Sequence, residues 1–256
     1  MSAQLAGACG DCCVKTVHHI GVARGEAVEI AGVRTYTVTP AALGQKLEGH
    51  GKGVILYFSD IFSAFYLNAQ LTMDYFAENG YTVLGIDYLN GESALHLSDP
   101  MTEWTAWVEP HVKRAPEVTK PWLEEVRKQY AGAKFFSIGN CFGAPFVMNV
   151  LAQDWVTAGA FAHPTYLTED HFRRVKRPLL MLVPEDDYLF PTASRRRAVD
   201  ILVEEKKDYS LVVYGGLEHG FATRGDPSVP NQRWGKEHAA LSALAWFDHH
   251  RSVNAA

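Results

Sequence analysis

Residues 137–144 decide the fold of this chain, and they read Ser137-Ile138-Gly139-Asn140-Cys141-Phe142-Gly143-Ala144. An apolar run at 133–136 predicts a buried strand before this stretch, and residues 145–151 follow with the apolar spacing of a helix. A strand, a Gly-x-Cys-x-Gly turn and a helix are the context of a nucleophile elbow, where small residues flank a strained nucleophile. The helix N-terminus is also expected to lower the pKa of the Cys141 thiol. Alone, the pattern also fits a structural, buried cysteine.

Composition limits the class of protein. The chain has 256 residues, 47% of them hydrophobic, which is enough for the core of one large α/β domain. We predict an N-terminal arm at 1–24 and a single domain at 25–256. The net charge of -5 argues against nucleic acid or an anionic membrane as a partner. No stretch has the length of a signal peptide or a membrane span, so we expect a cytoplasmic protein.

Cysteine usage is uneven, with Cys9, Cys12 and Cys13 near the N-terminus and Cys141 far away. This is no disulfide framework for a chain of this length, which favours a reducing compartment. Together with His18-His19, the three early cysteines could be metal ligands. Their spacing lacks the second pair of an ordinary zinc site, so we favour a pliable arm, with no metal or cofactor.

Strand and helix patterns alternate along most of the chain. Residues 26–39 predict a hairpin at a sheet edge, turning at Ala31-Gly32. Further strands are predicted at 54–58, 81–86, 158–162, 179–183 and 210–214, and helices at 67–79, 120–130, 193–205 and 236–250. Residues 87–119 read as a long irregular connection, a lid or pocket wall. The order predicts a mostly parallel sheet with helices on both faces after a leading hairpin, and ligands at the carboxyl ends of its strands.

Three reactive residues follow predicted strands in the order Cys141, Asp187, His219. Nucleophile, acid and histidine in this order are typical of α/β-hydrolase triads. Asp186 competes with its neighbour as the acid, and we prefer Asp187 because of its spacing to a following Pro-containing turn. His163 also follows a strand, where it either lines the pocket or is hydrogen-bonded within its turn.

The chain resembles the dienelactone hydrolase family of α/β-hydrolases, and its N-terminal cysteine pair resembles that of eukaryotic members. Four segments carry the likeness, at 60–63, 139–144, 187–191 and 219–222, within a similar region of about residues 25–250. The resemblance implies that Cys141 is the nucleophile, His219 the base and Asp187 its orienting acid. The backbone N–H groups of Ile61 and Phe142 are implied to form the oxyanion hole.

The resemblance also implies residues around the substrate. Family members often have a glutamate that contacts the resting thiol, and Asp60 stands at that position here. Bacterial members hold a substrate carboxylate with an arginine four residues after the histidine. That position is Thr223 in this chain, with Arg224 beside it. The remaining residues that we expect to line the substrate are Tyr88, His163, Tyr188 and Phe221.

The predicted reaction is hydrolysis of a small-molecule ester or lactone, such as an enol lactone, through a thioester on the cysteine. The protein would be a monomer or a homodimer. Rival hypotheses on the same triad are a thioesterase, an acyltransferase and a tailoring hydrolase of a polyketide-like lactone. A non-catalytic binding module on this fold is a further alternative. A nucleotide-binding Rossmann domain is disfavoured, because the elbow lacks the Gly-x-Gly-x-x-Gly spacing.

Overall fold

A single eight-stranded sheet organises the chain, of which a computed structural model describes residues 2–253. The predicted domain limits at residues 1 and 256 lie outside this range. The strands are β1 (Glu26–Ile30), β2 (Val33–Val38), β3 (Val54–Phe58), β4 (Thr82–Ile86), β5 (Phe135–Asn140), β6 (Val156–Ala162), β7 (Leu179–Asp186) and β8 (Tyr209–Glu218). Their order across the sheet is β1-β2-β4-β3-β5-β6-β7-β8. The pairings of β1 with β2 and of β2 with β4 are antiparallel, and the other five are parallel.

Helices cover both faces of this sheet, as predicted. They are α1 (Leu67–Glu78), α2 (Pro100–Gln129), α3 (Ala144–Leu151), α4 (Glu169–Arg174), α5 (Thr192–Glu204), α6 (Phe221–Arg224) and α7 (Pro230–Val253). Side chains of α2, α3, α4 and α5 pack in the core on one face, and those of α1, α6 and α7 pack on the other. None of the helices within residues 2–253 combines the length and apolar character needed to cross a membrane.

The central strands are buried on both faces, which explains their continuous apolar sequences. In β3, Leu56 and Phe58 join the core on the α2 and α3 side, whereas Ile55 and Tyr57 join the core on the α1 and α7 side. The hairpin forms the edge of the sheet. It turns through Ala31 and Gly32, both with positive φ, the conformation that matches the twist of paired strands.

Residues 87–119 are the main error of the sequence prediction. A long helix, α2, begins at Pro100 and runs to Gln129, whereas we predicted a helix only from residue 120. The side chain of Asp99 accepts a hydrogen bond from the Met101 N–H and caps the helix, and Pro100 occupies its first turn. The predicted irregular lid is therefore mostly helical.

Three prolines lie inside α2, where proline ordinarily disrupts a helix. Pro110, Pro116 and Pro121 are all exposed, so the carbonyl groups that they leave without an N–H partner lie on the solvent side. The opposite side of the helix is buried at helical spacing. Its buried residues are Val108, His111, Ala115, Thr119, Trp122 and Val126. Packing of this stripe against the sheet outweighs the local cost of the prolines.

The N-terminal arm is packed against the domain and is not the pliable segment that we expected. The backbone N–H groups of Leu5 and Ala6 both donate to the Leu167 carbonyl, and the Gly7 N–H donates to the Leu189 carbonyl. Leu5 is buried, as are Cys9 and Cys13, and all three belong to the main hydrophobic core. The arm thus continues the core beyond the carboxyl ends of the strands.

We expect Gly143→Ala to lower the free energy of unfolding by about 1–3 kcal/mol, because its Cβ would collide with the backbone of Phe58. Urea unfolding of both proteins measures the difference. Gly215→Ala is the matched control, since a Cβ there meets only the Glu185 carboxylate at an ordinary 3.7 Å. Equal losses in the two variants would contradict the role of this close approach.

Candidate active site

The elbow forms as the sequence predicts. Cys141 follows β5 directly and has φ of 50°, the strained conformation expected for a nucleophile at a strand-to-helix turn. Its two glycine neighbours are required by space. A Cβ on Gly139 would lie 2.5 Å from the Gly143 carbonyl oxygen, and a Cβ on Gly143 would overlap the Phe58 backbone of β3.

A histidine–carboxylate pair lies at the same edge of the sheet. His219 Nδ1 is 2.9 Å from Asp187 Oδ2, and both side chains are almost fully buried. The second carboxylate oxygen of Asp187 accepts the backbone N–H groups of Leu189 and Phe190, at 3.0 and 3.3 Å. These bonds fix the carboxylate, so that Nε2 of His219 faces away from it. Asp186, the competing acid, is exposed.

A thiol of the arm lies next to both the elbow and the histidine. Cys13 Sγ is 3.4 Å from Cys141 Sγ and 3.5 Å from His219 Nε2. Neither Cys13 nor Cys141 has any solvent-exposed surface. The arm therefore covers the elbow thiol in this conformation.

The pKa of the Cys141 thiol is shifted in the direction opposite to the predicted one. Burial raises the pKa of Cys141 to about 11, even though the Cys13 thiol, through a hydrogen bond, acts in the opposite direction. The predicted lowering by the helix N-terminus is therefore wrong for this covered state. Burial disfavours a charged imidazole on His219, but its interactions with Cys141 and with the Asp187 carboxylate outweigh burial and raise its pKa to about 10.

Asp60, the predicted thiol-contacting acid, follows β3 but is held by residues other than Cys141. Its Oδ1 accepts the Phe62 N–H at 3.0 Å, and its Oδ2 accepts the Thr223 hydroxyl at 2.9 Å. Arg224 Nε is 3.6 Å from the same Oδ2. The carboxylate thus pairs with the last two residues of α6, and both of its oxygens are engaged.

Arg224 is buried and holds the arm. One terminal nitrogen of its guanidinium, Nη1, donates to three arm carbonyls, those of Cys12, Cys13 and Lys15. The structure therefore places backbone oxygens of the arm against Arg224, which we predicted only as a substrate-lining residue. Sequence reasoning missed this role, because the partners are backbone groups with no side-chain pattern.

The other residues predicted to line the substrate differ in how deeply they are buried. His163 is fully buried with φ of 35°, and its ring meets that of His219 at 4.9 Å between centroids and that of Phe221 at 5.8 Å. Burial lowers the pKa of His163 well below its usual value. Tyr88 is buried behind the elbow, stacked on Phe146, whereas Tyr188 is 61% exposed.

The N-terminal histidines do not join the cysteines. His18 Nδ1 contacts the Tyr66 hydroxyl at 3.4 Å, and His19 Nε2 lies 2.8 Å from the Gly225 carbonyl oxygen. Cys9 and Cys13 instead converge on Cys141, with all three sulfurs within 4.8 Å of one another. The early cysteines and histidines therefore do not form the metal-ligand set considered from the sequence. Instead, two of those cysteines cluster with Cys141.

Ile61 and Phe142, the predicted oxyanion-hole residues, are buried beside the elbow. Ile61 lies in the loop after β3, and Phe142 directly follows Cys141 in the first turn after β5. Because β3 and β5 are adjacent and parallel, the two segments meet at the same end of the sheet. Their role as oxyanion-hole donors stays a prediction.

The sheet order, the elbow and the His219–Asp187 pair define the class of the protein, an α/β-hydrolase. The model of the "Dienelactone hydrolase family" matches residues 33–251. The chain therefore belongs to the dienelactone hydrolase family, which places it among carboxylic ester hydrolases.

Relatives agree with this assignment. The chain is 32% identical over 246 residues to "Dienlactone hydrolase 1" of Gibberella moniliformis, a match that covers 93% of this chain and 92% of that protein. It is 31% identical over 247 residues to "Hydrolase tropI" of Talaromyces stipitatus, covering 93% and 94%. The crystal structure of dienelactone hydrolase from Anabaena variabilis has the same fold. Its TM-score is 0.63 at 15% identity, over 88% of this chain and 96% of that one.

We expect Asp187→Asn to lower the pKa of His219 from about 10 by about 1–3 pH units, because the variant removes a negative charge that stabilises the imidazolium. The pH titration of the imidazole C–H resonances measures this pKa, with the His219→Gln spectrum assigning the peak. Asp186→Asn is the matched control, since Asp186 is exposed. An unchanged pKa in Asp187→Asn would contradict the pairing.

Proposed function

We propose that this protein is a cysteine-dependent hydrolase of esters or lactones, with Cys141 as nucleophile, His219 as base and Asp187 as orienting acid. The observation that carries the proposal is the strained Cys141 thiol at the same sheet edge as the buried His219–Asp187 pair. Family membership supports the reaction class, and two relatives carry the name dienlactone hydrolase. A small, activated ester such as an enol lactone fits best. A thiolate is itself a good leaving group, so the tetrahedral intermediate goes on to the thioester only if the oxygen of the substrate leaves at least as readily.

The chemistry follows the roles of the three groups. His219 takes the proton of Cys141, and the thiolate attacks the carbonyl carbon. The tetrahedral intermediate collapses with cleavage of the carbon–oxygen bond, and His219 returns the proton to the departing oxygen. Water, activated by the same histidine, then hydrolyses the thioester. Asp187 keeps Nδ1 of the imidazole engaged throughout, so that Nε2 is the atom that exchanges the proton.

The oxyanion of both steps needs donors beside the thiol. The backbone N–H groups of Ile61 and Phe142 are the proposed pair, supported by the adjacency of β3 and β5 and by the position of Phe142 directly after the nucleophile. Each such donor is worth about 3–4 kcal/mol of transition-state stabilisation in comparable sites.

Access to the thiol requires a movement of the arm, because Cys141 has no exposed surface and Cys13 lies against it. A depression of about 250 Å³ already leads to His219, between the arm residues Cys12 and Val17 and the turn before α6. A small substrate that enters there reaches the thiol once Cys13 withdraws. Arg224, freed from the arm carbonyls at that moment, is the proposed partner of a substrate carboxylate.

Cys141→Ala is expected to reduce turnover by at least about three orders of magnitude, because it removes the atom that forms the acyl bond. The assay panel is p-nitrophenyl acetate, dienelactone and a longer aryl lactone, with Cys141→Ser alongside. Rapid quenching of wild type with p-nitrophenyl acetate should give an acetylated Cys141 peptide in the mass spectrum.

Cys12→Ala is the matched control, because it removes another free cysteine of the chain and leaves the proposed triad intact. It should retain turnover. Activity that survives Cys141→Ala would remove this thiol from the mechanism. Failure of wild type on the whole panel would move the assignment towards a thioesterase, an acyltransferase or a non-catalytic module.

A further inference from the structure

Three thiols from distant parts of the sequence meet at one point. The Sγ atoms of Cys9, Cys13 and Cys141 lie within 4.8 Å of one another, and those of Cys13 and Cys141 are 3.4 Å apart. All three residues are buried, with exposed fractions of 4%, 0% and 0%. All are free cysteines, so the cluster is not a disulfide. Hydrolysis through the triad needs one of these thiols and leaves the other two without a role.

The spacing of the sulfurs is that of a metal-thiolate site. Thiolates about 2.3 Å from a tetrahedral zinc ion are about 3.8 Å apart. The separations here, from 3.4 Å to no more than 4.8 Å, bracket that value. A disulfide would bring two sulfurs to about 2.05 Å and exclude the third. Three convergent sulfurs are a donor set that favours soft cations, Cu⁺ and Zn²⁺ above all.

Main-chain contacts position the Cys13 thiol. A single 3₁₀ turn, Asp11–Val14, brings Cys13 back beside Cys9, and the Gly10 N–H points at Cys13 Sγ with a nitrogen–sulfur distance of 3.4 Å. A backbone N–H directed at sulfur stabilises a thiolate ligand. Arg224 binds the carbonyl of Cys13. Cys13 is therefore positioned by main-chain contacts and Cys141 by the elbow, whereas Cys9 is held by its burial in the hydrophobic core.

We propose that Cys9, Cys13 and Cys141 form a trithiolate binding site for one thiophilic d¹⁰ cation, Zn²⁺ or Cu⁺. Binding replaces three S–H bonds by three metal–sulfur bonds and releases three protons to solvent. No redox step is involved. Because Cys141 is both ligand and proposed nucleophile, the loaded protein is inactive in hydrolysis, and removal of the cation restores the thiol. The site thus couples the catalytic thiol to the supply of a soft metal.

Titration of the reduced full-length chain tests the site, with Zn²⁺ alone and Cu⁺ alone in separate arms and a chromophoric chelator as competitor. One equivalent is expected to bind to the wild type in at least one arm, and the arm with the tighter competition identifies the cation. Cys9→Ala should weaken binding by about 100-fold or more, since only two ligands remain. Cys9→Ser, with a side chain of nearly equal size, repeats the test if the alanine variant is unstable.

Cys12→Ala is the matched control and should bind as the wild type does. Cys12 lies next to Cys13 but belongs to a separate group with Cys13 and His219. Loss of binding in Cys12→Ala with retention in Cys9→Ala would overturn the trithiolate site in favour of that other group. Absence of one-equivalent binding in both metal arms, or equal affinity in wild type and Cys9→Ala, would overturn it outright.

Co²⁺ is a further probe, because thiolate ligation gives an intense sulfur-to-metal charge-transfer band. The band should appear in wild type and Cys12→Ala and be strongly reduced in Cys9→Ala and Cys141→Ala. These readouts need no enzymatic activity. A protein that binds metal but hydrolyses no ester even in its metal-free, reduced form would therefore refute the proposed hydrolase function and keep the site, whereas an active protein without metal binding would do the reverse.

Discussion

The close approach of the elbow to β3 is the constraint on which the rest of the site depends. Gly143 lies against the backbone of Phe58 with no room for a side chain, and Cys141 is forced into a positive φ. This contact ties the turn after β5 to its parallel neighbour. The thiol then stands at the carboxyl edge of the sheet, the edge at which β7 delivers Asp187 and β8 delivers His219. The geometry of the candidate site is a consequence of strand order and of two glycines.

Much of this architecture could be predicted from local sequence patterns. Continuous apolar runs predict central strands because both faces of a parallel sheet are covered, and the structure has those strands. The elbow could be predicted because its steric demands are met by Gly139 and Gly143 alone. The first part of α2, residues 100–119, could not, because local sequence does not show that the prolines inside the helix face solvent. Pro110, Pro116 and Pro121 lie on the solvent side of the helix, which only the tertiary structure shows.

The covered state of the site could not be predicted for a different reason. The thiol of Cys13 meets Cys141 across 128 residues and His219 across 206 residues of sequence. No local periodicity encodes such contacts, and Arg224 holds the arm by carbonyl groups that every residue has. The pKa of Cys141 shows the same limit. Its helix N-terminus is visible in the sequence, but the burial that raises the pKa is not.

The packing of the arm against the domain affects the order in which parts of the protein fold. Residues 4–15 are synthesised before any of the sheet, yet their contacts lie with Leu167, Leu189 and Arg224, near the other end of the chain. Such contacts of high sequence separation form late, since the loop that they close is long. The contacts of the arm with Arg224 cannot form until α6 has left the ribosome. We accordingly expect the arm to close over Cys141 late in folding.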